Sequence, residues 1–473
     1  MNPRHIAQSI IRFGSTLLAH TRGWQSRLEP HLDSDRKWII LILLLATLLR
    51  FPMLQYPAET VFDEPIYSDF AMLSLQAHPF FDIHPPLARI LFTEIVARTD
   101  YDPSTATIIT TPDFAPHAFL DFPYIPLRTT VAFFGTLLPL LLYGISRLLG
   151  ATPRWAGLVA LFVVIDPAFI VYSRAILPDT ILLAVEMGAL LAALAAVQSE
   201  TTRGKVGFAL LAALALGAAV SIKWIALSIV GVVGLLYLFH RRWKTILATG
   251  VVMAGVYVFV FASFVLYFPN GGKADPVLLT YDVPYVTTLE FPADPTWGTA
   301  VRFLPELHRT MWRANTDPET SARLPETPTA LSWPVAKVSM LGWWSGVEQS
   351  IMLKGNTLLY PVTFFLFLFE IGWIIARYRT TKHWPVGIME TTLVIGYFGN
   401  YLPFFLIERS MFLYHYFSAF LLLLLLIPFV VPRVIACLAQ VTRDELFAKV
   451  FALVVVLLVL IDVLRAAPQI YGF

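Results

Sequence analysis

Along most of the 473 residues, polar positions come in short clusters, while apolar positions come in runs too long for an ordinary soluble helix. A hydrocarbon core about 30 Å thick takes roughly 17–25 residues of helix to cross, and this pattern predicts eleven spans. Their cores fall at 38–54, 126–149, 155–173, 177–197, 205–222, 224–239, 244–268, 358–377, 386–406, 412–432 and 446–465. The sixth is short and is crowded by Lys223 and His240, yet removing it would set the flanking basic clusters on inconsistent faces. Two long segments interrupt the helical pattern, 55–125 and 269–357. The second contains ten prolines, and both are too rich in Trp, Phe and Tyr to read as disordered. The chain therefore divides into a basic arm (1–37), an N-terminal transmembrane module (38–268) that includes the first long loop, a second long loop (269–357) and a C-terminal transmembrane module (358–473).

Composition agrees with an all-α polytopic membrane protein: 57% of residues are hydrophobic and 14% charged. A net charge of +2, from 34 basic and 32 acidic residues, lacks the concentrated basic surface of a nucleic-acid binder. One cysteine, Cys437, excludes an internal disulfide and a Cys-rich metal site. The cations orient the stack. Nineteen lie on one side if the N-terminus is cytoplasmic, against Arg174, Lys223, Arg409 and Arg465 on the short outer connections and at the C-terminal end. The expected topology is N-terminus in and C-terminus out across a cell membrane. The basic arm is too long and charged for a signal peptide, so the first span is expected to be retained.

Chemistry gathers on the outer side. Asp63 and Glu64 follow the first span, and adjacent carboxylates beside an apolar helix can supply a general base whose proton affinity is raised by its neighbour and by desolvation. Taken alone, such a pair is more often solvated loop charge. Further along the same loop, Asp82, His84, Pro85, Pro86 and Arg89 occupy a stiff turn, with Pro86 placed to open a helix. Arg174 and Asp179 flank the next outer turn, Lys223 and Trp224 another, and Glu408, Arg409, Tyr414 and His415 the last. Interfacial anchoring would account for any one of these. A cation on every short outer connection, where the positive-inside bias disfavours it, instead suggests a phosphate site. No H-E-x-x-H pair, nucleotide cradle or nucleophile elbow is present, which argues against a bound metal and a soluble nucleotide donor.

Several motifs, in order, resemble the protein O-mannosyltransferases of the GT-C class, which use a polyprenyl-phosphate sugar as donor. They are Phe62-Asp63-Glu64, His84-Pro85-Pro86-Leu87-Ala88, Arg128, Asp166 with Ser173-Arg174-Ala175-Ile176-Leu177-Pro178-Asp179, Lys223-Trp224, Ser332-Trp333-Pro334, Leu353-Lys354-Gly355-Asn356 and Met411-Phe412-Leu413-Tyr414-His415-Tyr416. The resemblance runs from about residue 37 to the end. Thr357 stands where the family usually has proline after Gly-Asn, and 269–357 has no room for the β-trefoil domain of eukaryotic members, as in the shorter prokaryotic form.

The resemblance implies a GT-C fold of about eleven transmembrane helices with two large extracytoplasmic loops. It also implies inverting transfer of mannose from polyprenyl-phosphate-mannose to Ser or Thr of exported polypeptides, with no required cofactor or metal. Asp63 would be the base, Glu64 would orient Asp63 or the acceptor, and Arg128 would support the site. Arg174, Lys223, Arg409 and His415 would meet the donor phosphate, with Asp179 beside them, while His84 and Arg89 would wall the sugar pocket. A lipid or cell-wall glycan acceptor, as in the aminoarabinose transferases of the same fold, is the alternative. A non-catalytic transporter or scaffold ranks behind both, because transporters place charge near the midplane and here it collects at one face.

Overall fold

A computed structural model of the chain describes residues 33–105, 108–110, 116–277, 282–317, 328–336, 342–345, 350–407 and 410–472. Most of the basic arm lies outside them. Each of the eleven apolar runs is helical. In chain order the α-helices longer than four residues are α1 (Asp35–Arg50), α2 (Glu64–Leu75), α3 (Leu87–Val96), α4 (Tyr124–Leu148), α5 (Pro153–Ile165), α6 (Pro167–Tyr172), α7 (Pro178–Gln198), α8 (Thr202–Val220), α9 (Leu227–Phe239), α10 (Trp243–Val265), α11 (Trp297–Thr316), α12 (Leu359–Thr381), α13 (Ile388–Tyr401), α14 (Phe417–Thr442) and α15 (Glu445–Tyr471). Seven of these are long and apolar enough to cross a membrane: α4, α7, α8, α10, α12, α14 with its preceding 3-10 turn, and α15. The helices in the remaining four runs, α1, α5, α9 and α13, are shorter. The architecture is an all-helical membrane bundle. Its periphery is apolar: α15 buries only Ala448, Val459 and Ile470 and turns Leu453, Leu457, Leu458 and Leu464 outward, which is sensible only against lipid.

The predicted single span at 155–173 is broken in the structure. Pro167 offers no amide to continue the ladder, and Asp166 takes up the cap, accepting from the amides of Ala168 (3.0 Å) and Phe169 (3.2 Å). The other oxygen of Asp166 accepts the amide of Asn356 at 3.1 Å. Asn356 in turn caps α12 through Leu358 and Leu359 and donates to the Val459 carbonyl of α15. Thr357 gives both its amide (2.7 Å) and its hydroxyl (2.8 Å) to Asp462. A proline here would lack the amide, so the departure from the family's Gly-Asn-Pro carries a bond of its own. Small residues let these helices close up. A Cβ on Gly157 would come within 2.2 Å of the Trp38 ring, and one on Gly135 within 2.3 Å of Ser173.

At the opposite end of the C-terminal helices, Arg433 on α14 bridges Glu370 of α12 and Glu390 of α13, with its guanidinium over the Trp373 ring. The two long loops pack together at the other end. Phe81 donates its amide to Asp275 and Asp275 donates to Pro79, at 2.8 and 2.9 Å. The short antiparallel pair β1 (Gly272–Lys273) and β2 (Glu290–Phe291), with Gly272 opposite Phe291, lies in the second loop. Another pair, β3 (Gly342–Ser345) and β4 (Ser350–Met352), leads into α12.

Candidate active site

Between the helix ends and the two loops lies a cavity of about 620 Å³. Its polar lining comes from both halves of the chain: Asp63 and Tyr67 of the α2 segment, Asp82 and His84 of the following turn, Asp179 of α7, Lys223, Ser228 of α9, Asn315 of α11, Asn400 of α13, Tyr414 and His415.

Asp63 sits at the N-cap position of α2, yet its side chain caps nothing. Phe62 before it is held at φ +54°, a strained value for a bulky residue, with its ring edge-on to Phe412 at 5.6 Å. This turn directs Asp63 to the cavity and Glu64 away from it. Burial pushes the Asp63 carboxyl up to about 7; the Lys223 ammonium opposes the shift, and the Asp179 and Asp82 carboxylates add to it.

Glu64 is fully buried and accepts four hydrogen bonds: Arg128 Nε (2.8 Å) and Nη2 (2.6 Å), and the amides of Val61 and Ile176 (2.8 Å each). Arg128 gives its remaining donors to the carbonyls of Leu54, Pro57 and Glu59, and lies against the rings of Phe119 and Tyr124. Neither Glu64 nor Arg128 lines the cavity. Together they tie the loop from 54 to 64 to α4 and to the turn before α7.

The proposed cations divide in the same way. Lys223 Nζ lies 2.9 and 2.8 Å from the two oxygens of Asp179 and 5.3 Å from the centre of the Tyr414 ring, at the cavity wall. His415 is also at the wall, stacked on Tyr414 and near-parallel to Trp333, with Nδ1 accepting the Phe412 amide. Arg174, in contrast, donates to the carbonyls of Arg50, Pro52 and Met53 at 2.7–3.1 Å and lies over the Tyr471 ring. It caps the C-terminal end of α1 rather than facing the cavity. Arg89 pairs with Asp82 and donates to the His84 carbonyl at 2.8 Å, so it holds the turn on which Asp82 and His84 reach the wall. Burial raises the Asp82 carboxyl, with Arg89 opposing. Arg409 lies outside the described residues.

Sequence reasoning passed over Tyr67, Ser228, Asn315 and Asn400. Tyr67 was legible as the residue four after Asp63, on the same helical face. Asn400 and Ser228, joined at 2.5 Å, carry no local pattern. Among the described residues no group of three or more His, Cys, Asp or Glu is arranged to hold a metal ion.

Two family models cover most of the chain: dolichyl-phosphate-mannose-protein mannosyltransferase over residues 40–271, and the C-terminal four-transmembrane region of protein-O-mannosyltransferase over 301–473. The chain belongs to the protein O-mannosyltransferase family. Among curated relatives, dolichyl-phosphate-mannose–protein mannosyltransferase 4 of Saccharomyces cerevisiae is 33% identical over 31% of this chain and 19% of its own length. Its counterpart 1 from Candida albicans is 28% identical over 47% of this chain and 27% of its own length. The chain thus matches less than a third of the length of these relatives. The S. cerevisiae protein O-mannosyltransferase Pmt1–Pmt2 complex bound to the sugar donor superposes with a TM-score of 0.71 at 15% identity, over 93% of this chain and 90% of the other. An Archaeoglobus fulgidus oligosaccharyltransferase superposes at 0.52 and 14% identity, over 93% and 56%. These likenesses give this family member the GT-C fold.

Proposed function

We propose that this protein O-mannosyltransferase family member moves mannose, with inversion, from polyprenyl-phosphate-mannose to a Ser or Thr hydroxyl of an exported polypeptide. The reaction takes place at the outer membrane face, with the N-terminus cytoplasmic and eleven crossings. The observation that carries the reading is Asp63: a cavity-facing carboxyl whose proton affinity lies near neutrality, beside Lys223 and His415. A general base works best when its pKa is near the working pH.

In the proposed step, Asp63 takes the acceptor hydroxyl proton as the hydroxyl oxygen attacks the anomeric carbon. The bond from that carbon to the phosphate oxygen breaks, and polyprenyl phosphate leaves with the electron pair. A phosphate is already a good leaving group, so the chain must stabilise negative charge rather than supply a second acid. Lys223 is a cation that faces the cavity and fills that role, and the His415 ring beside it offers Nε2–H as a hydrogen-bond donor. Asp179 holds the Lys223 ammonium in place, and Asp82 and His84 meet the sugar. Arg128, Glu64, Arg89 and Arg174 act one step back, by positioning backbone and neighbours.

The test uses membranes containing the chain, labelled polyprenyl-phosphate mannose and a Ser/Thr-rich peptide, comparing the parent with Asp63→Asn. Peptide label lost in the variant supports the reading, and full activity in Asp63→Asn sinks the assignment of the base. Donor consumption that depends on Asp63 but leaves the peptide unlabelled moves the acceptor to a lipid or glycan.

A further inference from the structure

Helix α11 belongs to the second long loop, yet it does not stand clear of the bundle. Trp297 stacks on Phe259 of α10, with centroids 5.4 Å apart and planes 20° apart. His308 lies 4.5 Å from the Phe261 ring and bonds Tyr257 Oη at 2.8 Å. Trp297 and His308 are separated by roughly 16 Å along α11, but their partners on α10, Phe259 for the first and Tyr257 and Phe261 for the second, lie only about 3 Å apart along that helix. The two helices therefore cross steeply. With α10 taken as a membrane span from its length and apolarity, a helix that crosses it steeply lies close to the bilayer plane. Phe261 and Tyr257 lie four and eight residues before the end of α10 at Val265, so α11 sits roughly 6–12 Å below that end, at the boundary of headgroups and acyl chains.

One face of α11, made by Ala300, Phe303, Leu304, Leu307, Met311 and Ala314, is buried on the protein. The opposite face is open. Trp297 is 49% and Trp312 65% exposed, and Arg302, Glu306, Arg309 and Arg313 lie between and beside them. Arg313 is engaged within the protein, 3.9 Å from Asp317 and over the Tyr285 ring at 4.0 Å, while Arg302 and Arg309 against Glu306, flanked by two tryptophans, leave a net positive face suited to an anionic interface. The open face continues directly from the lipid-facing side of α10 through the Phe259–Trp297 stack, and Phe259 itself is 61% exposed.

We propose that the Arg302 and Arg309 face of α11 binds anionic phospholipid headgroups of the leaflet that borders the cavity, with Trp297 and Trp312 anchored among the upper acyl carbons. Guanidinium forks pair with phosphate oxygens in two-bond geometry. The same helix reaches the cavity from its other side. His308 bonds Tyr257, which accepts from Trp224 Nε1 at 2.8 Å next to Lys223, and Asn315 lines the wall while holding the Ile83 carbonyl. The headgroups are thus bound by an element that also shapes the site.

The test uses the full chain in phosphatidylcholine vesicles containing phosphatidylglycerol, and no transfer assay, so it is independent of the proposed reaction. Phosphatidylcholine brominated at acyl carbons 6 and 7 is expected to quench an emission component that disappears in Trp312→Phe. Spin-labelled phosphatidylglycerol is expected to associate with the protein several-fold more strongly than spin-labelled phosphatidylcholine, roughly fivefold for each engaged arginine. The preference should fall with salt and drop several-fold in Arg302→Glu/Arg309→Glu, the cytoplasmic cations keeping the remainder. Quenching of Trp312 by aqueous iodide but not by bromolipid overturns the placement. A headgroup preference unchanged in the double variant overturns the arginine site.

Discussion

Asp63 and Glu64 are neighbours in the chain and opposites in the structure. Glu64 lies in a dry latch where four donors saturate its oxygens and Arg128 matches its charge. Asp63 faces an open cavity, no side-chain cap bond engages it, and burial lifts its carboxyl to about 7. The first arrangement locks a side chain in place, while the second leaves a proton free to move near neutral pH. A carboxylate that is fully hydrogen-bonded is a poor base, so the proposed role falls to the less satisfied partner.

Substitutions that treat the two alike should expose the difference. Asp63→Asn is expected to lower kcat by about 10²–10⁴-fold, the usual contribution of a general base, while donor binding stays close to the parent's. The parent's kcat/KM should rise with pH through about 7 as the carboxyl gives up its proton, and this limb should be absent in the variant. Stability runs the other way. The folded chain keeps the Asp63 proton to about pH 7, while an unfolded carboxyl loses it near pH 4. The folded state is therefore favoured at acid pH and loses that advantage between those values. Asp63→Asn should gain on the parent more at pH 8 than at pH 5 in thermal melts.

Arg128→Ala is expected to act on the fold first. Leaving Glu64 buried without its partner costs about 3–5 kcal/mol, read as a lower melting temperature and less protein in the membrane. Arg128→Met with Glu64→Gln should cost less than the sum of the single changes, because no lone charge is left. Lys223→Met is expected to raise the donor KM by about ten- to a hundredfold, the range for losing a charge-assisted hydrogen bond, with unfolding little changed once Asp179→Asn removes the orphaned carboxylate. Thr357→Val, which deletes the hydroxyl bond to Asp462 but keeps the amide, should cost only about 1 kcal/mol with transfer intact.

Much of this was readable from the chain alone. The eleven helical runs follow from apolar length, and Asp63, Asp179, Lys223, His84 and His415 could be picked out as polar residues at helix ends. The division between Asp63 and Glu64 was not legible, because it depends on the strained Phe62 turn and on Arg128 arriving from 64 residues away. The place of Arg174 was hidden for a related reason. Its charge suggested a phosphate, but the carbonyl end of α1, itself partly negative, meets the guanidinium first. Likewise, Asp166-Pro167 marks a helix break in any chain, but Asn356 as the second user of that aspartate comes from 190 residues away.

The cavity draws Asp63, Asp179 and Lys223 from the first family region and Asn315, Asn400, Tyr414 and His415 from the second. Synthesis delivers these in order, so a chain that has emerged as far as residue 271 carries Asp63, Asp179 and Lys223, but not the wall opposite them. Until the segment bearing His415 has joined the bundle, the cavity is open on that side, and the proposed site is completed only by the C-terminal region.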